Sequence, residues 1–255
     1  MKIGFYQFAP RLGDVEFNIG KMEHALHKIK ADIIITPELS ITGYSFRTRK
    51  EIMSLMNKNS TPTIMARLQK ISRTIGGLLM VGMVEQDGNQ LFDSLLAVGP
   101  GGCLAKNQKT HLFFKEKKIF NYGKTGPTVF KYKNTKIGLG ICYDYMFPEY
   151  WRKLSLLGAT LFCNSANFVY HYGFDLMRAR AIENGVFSVC VNRIGIERGN
   201  KFYGRSEMVD NHGNIIYQSS QSEDLRVQDL DIDKAQNKWW NKYNNLFNDR
   251  RPEYY

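Results

Sequence analysis

The chain has 255 residues, 43% of them hydrophobic and 23% charged, with a formal charge of +11. That composition is ordinary for a soluble globular protein, and the length suits one α/β domain over residues 1–255. No apolar run approaches the roughly 20 residues needed to span a bilayer, so no membrane partner is expected.

The N-terminus, Met1 to Pro10, lacks a long apolar region followed by a small-residue cleavage site, and a cytoplasmic protein is expected. The four cysteines, Cys103, Cys142, Cys163 and Cys190, form no CxxC pair. The five histidines are not near them at finger spacing, so neither a disulfide framework nor a zinc site is read. The basic residues are scattered. The densest cluster, Lys115 with Lys117 and Lys118, is interrupted by Glu116 and has no aromatic interleaving, so a solvated cationic surface is expected rather than a nucleic-acid site.

In chain order, residues 3–8 read as a buried strand. A helix over about 18–30 follows from Ile19, Met22, Leu26 and Ile29, with Asn18 as its cap. The run Asp32 to Pro37 is rich in β-branched residues and suits a strand covered on both faces. Pro37 ends it, which leaves Glu38 just past a strand end. Thr61 and Pro62 open a helix whose apolar face is Ile64, Leu68, Ile71 and Ile75, closed by Gly76-Gly77. Strands follow near 78–84, 91–98 and 103–109, the last two joined at Gly99-Pro100-Gly101-Gly102. The second half alternates again, with strands near 136–142, 159–164 and 186–192 and helices near 148–157 and 174–184. Further strands are expected near 204–210, 214–218 and 225–231, then a tail from about 233 to 255, docked or at an oligomer interface. No internal repeat is evident, and the mixed order points to a layered α/β domain.

The strongest chemical signal is Gly138-Leu139-Gly140-Ile141-Cys142-Tyr143-Asp144, a strand ending on a cysteine before a helix that Pro148 opens. A thiol held out at such a junction suits a nucleophile, its pKa lowered by nearby helix amides; the competing reading is a buried cysteine filling a gap. Cys163 and Cys190 lie inside apolar strands and read as core. A nucleophilic thiol needs a base and an oxyanion donor. Glu38 and Lys109 stand at other strand ends, although singly each reads equally as a loop carboxylate and a surface cation. His111, with His171 and His212 behind it, offers a Cys–His pair instead.

Taken as an ordered set, Glu38, Lys109-Thr110-His111-Leu112-Phe113 and Gly140-Ile141-Cys142-Tyr143-Asp144 resemble the Glu–Lys–Cys signature of the nitrilase superfamily of carbon–nitrogen hydrolases. Glu116 with Phe120 and Gly123, Phe147-Pro148-Glu149, Arg178 to Asn184, Asn192 to Gly195, Gly204-Arg205-Ser206 and Asp249 to Pro252 extend the likeness over nearly the whole chain. The resemblance implies a four-layer α-β-β-α sandwich that forms homodimers or larger homo-oligomers. It implies Cys142 as nucleophile, Glu38 as general base, Lys109 as oxyanion stabiliser, Glu116 as a second carboxylate and the Tyr143 backbone N–H as an oxyanion donor. His111 then becomes scaffold.

Tyr44, Asn167 and Phe168 line the substrate pocket by analogy of position. No cofactor or metal is implied. The expected reaction is hydrolysis of a small linear amide or nitrile through a cysteine thioester. A true nitrilase, a carbamoylase and an ammonia-supplying glutaminase are the alternatives within the chemistry, and a silent binding protein is the alternative outside it. Several relatives that act on acids carry arginine two residues after the Asp that follows the cysteine; Met146 stands there, which tilts the expected substrate toward a neutral or cationic amide.

Overall fold

The structure is a computed structural model that describes residues 1–254; Tyr255, the last residue of the expected tail, lies outside the described residues. The first half comprises β1 (Lys2–Gln7), α1 (Val15–Leu26), β2 (Ile33–Ile35), α2 (Arg49–Lys58), α3 (Thr61–Ile75), β3 (Leu78–Asp87), β4 (Gln90–Gly99) and β5 (Gly102–Gln108). The second comprises β6 (Thr128–Tyr132), β7 (Thr135–Ile141), α4 (Pro148–Leu156), β8 (Leu161–Ala166), α5 (Tyr172–Asn184) and β9 (Phe187–Asn192). Then come β10 (Ile194–Glu197), β11 (Asn200–Tyr203), β12 (Glu207–Val209), β13 (Ile215–Gln218) and β14 (Asp224–Asp229).

Two six-stranded mixed sheets form the centre, in the orders β14-β1-β2-β3-β4-β5 and β13-β12-β9-β8-β7-β6. Each has three adjacent parallel strands, β1-β2-β3 and β7-β8-β9, with antiparallel strands outside them. The expectation of no repeat therefore holds for residue identity and fails for topology, because strand order and direction recur without a shared residue pattern.

Burial on both faces explains the strand sequences. Ile33 and Ile35 face the core between the sheets, as do Ile3, Phe5, Leu78, Met80, Leu95 and Ala97. Ile34, Leu79 and Val81 point the other way, onto Ile19, Met22 and Leu26 of α1 and Leu68, Ile71 and Ile75 of α3. On the second sheet, Trp151 and Leu154 of α4 and Phe174 and Met177 of α5 join a cluster with Leu139, Phe162 and Val189. The result is the expected layering of helices, sheet, sheet and helices. Among the described residues no helix is long and apolar enough to cross a membrane.

Several local expectations are corrected. α1 starts at Val15, capped by Asp14, whose side chain accepts from Phe17 N. Asn18 is buried instead, donating to the Arg11 and Ile41 carbonyls. Thr61 is the first residue of α3 rather than its cap, although Gly76 closes that helix in the left-handed conformation, φ 74°. α2, β6 and the β10–β11 hairpin have no counterpart among the expected elements. The segment from Asp233 forms 3-10 turns and an isolated bridge, and Lys238 Nζ ties it to the Asn184 and Gly185 carbonyls at the end of α5.

One glycine joins the fold to the chemistry. A Cβ on Gly82 of β3 would lie 2.4 Å from Leu39 N, 2.6 Å from Pro37 O and 2.8 Å from Glu38 Cα. Backbone atoms cannot yield as a side-chain tip can. Gly82→Ala is expected to destabilise the fold by about 1–3 kcal/mol and to displace Glu38. Urea unfolding would read the first effect. Unchanged stability would mean that the Pro37–Leu39 segment moves freely.

Candidate active site

Three strand ends and one turn bring the site together. Glu38 follows β2, Lys109 follows β5, Cys142 follows β7, and Glu116 lies in the 3-10 turn Phe114–Lys118. Backbone conformation is unusual at each approach. Cys142 itself has φ 42°, Leu39 beside Glu38 has φ 47°, and Phe114 before Glu116 has φ 46°. Side chains rarely adopt the left-handed region, and such strain gathers where surrounding structure forces it.

Lys109 is the hub. Its Nζ donates to Glu38 Oε1 and, at 2.8 Å, to Glu116, with Asp93 Oδ2 3.5 Å away. The Lys109 side chain is 0% exposed. Its strand end is fixed by Lys109 N donating to Asp93 O and by Gly123 N donating to Lys109 O. Glu116, which interrupts the basic cluster and which the resemblance places near the site, turns inward while Lys115, Lys117 and Lys118 stay in solvent. It accepts from Tyr44 OH at 2.7 Å and Phe113 N at 2.7 Å. Tyr44 is held in turn, since Glu197 accepts from the Tyr44 backbone N–H and pairs with buried Arg193 at 2.6 Å. Carboxyl oxygens of Glu38, Asp93 and Glu116 lie within 4.8 Å of one another, and the cation among them is the lysine ammonium.

The second sheet supports the Glu38 loop. Asn167 Nδ2 donates to Glu38 O at 3.0 Å, and Ser165 Oγ donates to Thr36 O at 2.8 Å. Asn167 and Phe168 line a narrow crevice with Cys142, Phe113, Tyr143 and Tyr145. Phe113, Val169 and Tyr170 of this crevice also line a cavity of about 820 Å³, whose wall includes Tyr44 and Glu116.

Electrostatics follow from burial. Burial pushes the Cys142 thiol well above its ordinary value, and the nearby Glu38 charge adds to this against Lys109. This corrects the expected lowering by helix amides: the resting group is a thiol. Burial pulls Lys109 down, but the Glu116 and Glu38 carboxylates outweigh it and hold the ammonium above its usual range.

Asp144, which sequence reasoning gave no role, pins the elbow. Its Oδ2 accepts from Ile141 N at 3.0 Å, and its Oδ1 accepts from His111 N at 3.0 Å and contacts His111 Nδ1 at 2.8 Å. His111 therefore faces Asp144 and stacks on Phe147, with ring centroids 3.6 Å apart, as scaffold. His171 packs on Tyr203 and His212 on Trp240. Cys163 and Cys190 are core.

A buried cysteine, carboxylate and lysine thus gather beside the narrow crevice, the arrangement a thiol-dependent hydrolase would need. The chain belongs to the carbon–nitrogen hydrolase family, whose model matches residues 2–238. It is 35% identical to a nitrilase of Pyrococcus abyssi, covering 100% of this chain and 99% of that protein. It is 32% identical to the N-carbamoylputrescine amidase of Solanum lycopersicum, covering 95% of this chain and 89% of that one. Among solved structures it resembles an amidase of Nesterenkonia sp. AN1, captured with the acetamide moiety of fluoroacetamide added to the active-site cysteine. The TM-score is 0.86 at 26% identity, over 100% of this chain and 95% of that one.

Asp144→Asn puts an amide nitrogen against backbone N–H donors. It is expected to cost about 1–3 kcal/mol of stability in urea unfolding and to lower turnover by loosening the Cys142 elbow. Turnover at the unsubstituted level would separate the elbow from the chemistry.

Proposed function

We propose that the protein hydrolyses a small neutral linear amide, or the corresponding nitrile, through a thioester on Cys142, releasing a carboxylic acid and ammonia. The observation that carries this reading is the buried Glu38–Lys109–Glu116 cluster, whose field acts on the Cys142 thiol. Because the resting group is a thiol, a base must take its proton as sulfur attacks the amide carbon. Glu38 is that base. The oxyanion forms facing the Lys109 ammonium and the Tyr143 backbone N–H; removing one good donor of this kind costs about 10²–10³ in kcat. Collapse breaks the C–N bond, and Glu38 returns the proton to the departing ammonia. Glu38 then takes a proton from water, which attacks the thioester and frees the acid and the thiol. Glu116 holds Lys109 in place.

The cavity supports the substrate class. Tyr44, Phe113, Phe120 and Val169 give it apolar walls, with Phe168 beside Cys142 in the crevice. Met146 is outside the lining of the cysteine crevice. Arg47, Lys115 and Arg198 stand at the mouth, with Arg198 already paired to Glu51. Those cations disfavour a cationic chain such as that of carbamoylputrescine, so of the neutral and cationic amides expected we favour the neutral. We further read the chain as one domain that self-associates, since Trp239, Trp240 and Tyr243 of the tail are exposed.

Ammonia release from a panel of small amides, nitriles and carbamoyl compounds tests the reading. Cys142→Ala should abolish release while leaving the fold intact. Glu38→Gln should lower kcat by about 10²–10⁴ yet leave Cys142 open to alkylation by iodoacetamide. Near-normal release by Cys142→Ala would sink the assignment.

A further inference from the structure

The reaction above leaves one acid of the buried Lys109 cluster without a role. Asp93 lies on β4 in the row that includes Leu95 and Ala97, facing the inter-sheet core. Neither of its carboxyl oxygens meets an N–H or O–H donor at hydrogen-bond distance, and Glu38 Oε2 is likewise without a donor. Lys109 Nζ lies 3.5 Å from Asp93 Oδ2. Two carboxylates can only accept, so facing each other they leave their oxygens unsatisfied. One proton between them turns the mismatch into a hydrogen bond and removes a buried charge.

The remaining question is which carboxyl carries it. With three carboxylates against one ammonium, full ionisation leaves two negative charges unbalanced. Burial raises the Glu116 carboxyl too, but Lys109, Tyr44 OH and Phe113 N–H bond it directly and oppose that rise. Glu38 has Lys109 on Oε1. Asp93 has no donor at bonding distance, so its anion is the least stabilised of the three. Burial pushes its carboxyl well above the ordinary range, Glu38 pushes it further, and Lys109 opposes.

We propose that Asp93 is a positioning residue that keeps its carboxyl proton in the resting enzyme and donates it to Glu38 Oε2, so that Glu38 is gripped by Lys109 on one oxygen and by Asp93 on the other. The proposal rests on the reading of Glu38 as the base. The groups facing Asp93 are Glu38, Lys109 and Glu116. At alkaline pH, loss of the Asp93 proton sets two anions side by side, and activity falls.

The test compares the unsubstituted protein with Asp93→Asn and Asp93→Ala. The readouts are kcat and KM across pH from ammonia release, and the infrared carbonyl stretch of a buried protonated carboxyl near neutral pH. An asparagine amide still donates to Glu38 and cannot ionise. Asp93→Asn should therefore keep most of kcat, extend activity to higher pH and lose the infrared band. Asp93→Ala should lose about 100-fold in kcat with little change in KM. If Asp93→Asn, folded by near-ultraviolet circular dichroism, falls as far as Asp93→Ala, Asp93 is a counter-charge to Lys109 and the proposal is wrong. No Asp93-dependent band would overturn it equally, and that measurement stands even if Asp93→Ala fails to fold. Absence of hydrolysis by the unsubstituted protein would instead strike the functional reading, leaving the infrared result to judge the proton.

Discussion

The structure depends on one buried ammonium. Lys109 has no exposed side-chain surface and draws Glu38, Glu116 and Asp93 around it. A charge in that position is tolerated only where partners replace its water, and breaking a buried pair of this kind costs about 3–5 kcal/mol. The three carboxyls arrive on separate elements: the loop after β2, strand β4 and the turn after β5. The ion cluster thus adds side-chain ties between the β2 loop, the 3-10 turn and the β4–β5 ladder, where Lys109 N already donates to Asp93 O. Its supports extend outward through Tyr44 and Glu197 to Arg193, so the loop carrying Tyr44 is fixed from both sides.

The two sheets explain why the site lies where it does. Each contributes the C-terminal ends of parallel strands, β2 from one and β7 and β8 from the other, and those ends meet across the interface. Ser165 and Asn167, just past or within β8, reach over to the Thr36 and Glu38 carbonyls. The left-handed backbone at Leu39 and Cys142 bends the ends of β2 and β7, and that at Phe114 opens the turn that carries Glu116. Such strain persists only because the surroundings over-determine it. Here they are the close backbone approach at Gly82 and the Asp144 carboxylate, which takes backbone donors from both the Lys109 side and the cysteine side.

Much of this was legible because strand ends have local signals. Pro37 marks where β2 stops, the glycine-rich run into Cys142 marks β7, and Pro148 marks α4. Capping was less legible, since Asp14 and Asn18 are both good caps and only packing decides that Asn18 is needed inside. The short elements β10 and β11 and the amphipathic α2 have weak patterns and take their form from contacts with the rest of the chain. Asp93 was missed for a different reason. In Gln90-Leu91-Phe92-Asp93-Ser94-Leu95 it reads as the polar member of an alternating strand, whereas the strand is buried on both faces. An acid in a row that otherwise faces the core was the available signal. The thiol's raised pKa was hidden too, because an elbow before a helix looks the same in sequence whether or not water reaches it.

Proton count, more than any single residue, sets what this arrangement can do. An ionised thiol would add a further negative charge to a cluster already short of cations, so the site favours a neutral nucleophile at rest. In the proposed reaction, attack moves negative charge from Glu38 to the developing oxyanion, carried by the proton that Glu38 gains. The total inside the site stays constant while its location shifts toward donors already aligned. A preorganised cluster of this kind stabilises the moving charge without the reorganisation that water would need. That leaves the neighbouring cavity free to vary its walls, because recognition of the acyl group requires no change in the charges that do the chemistry.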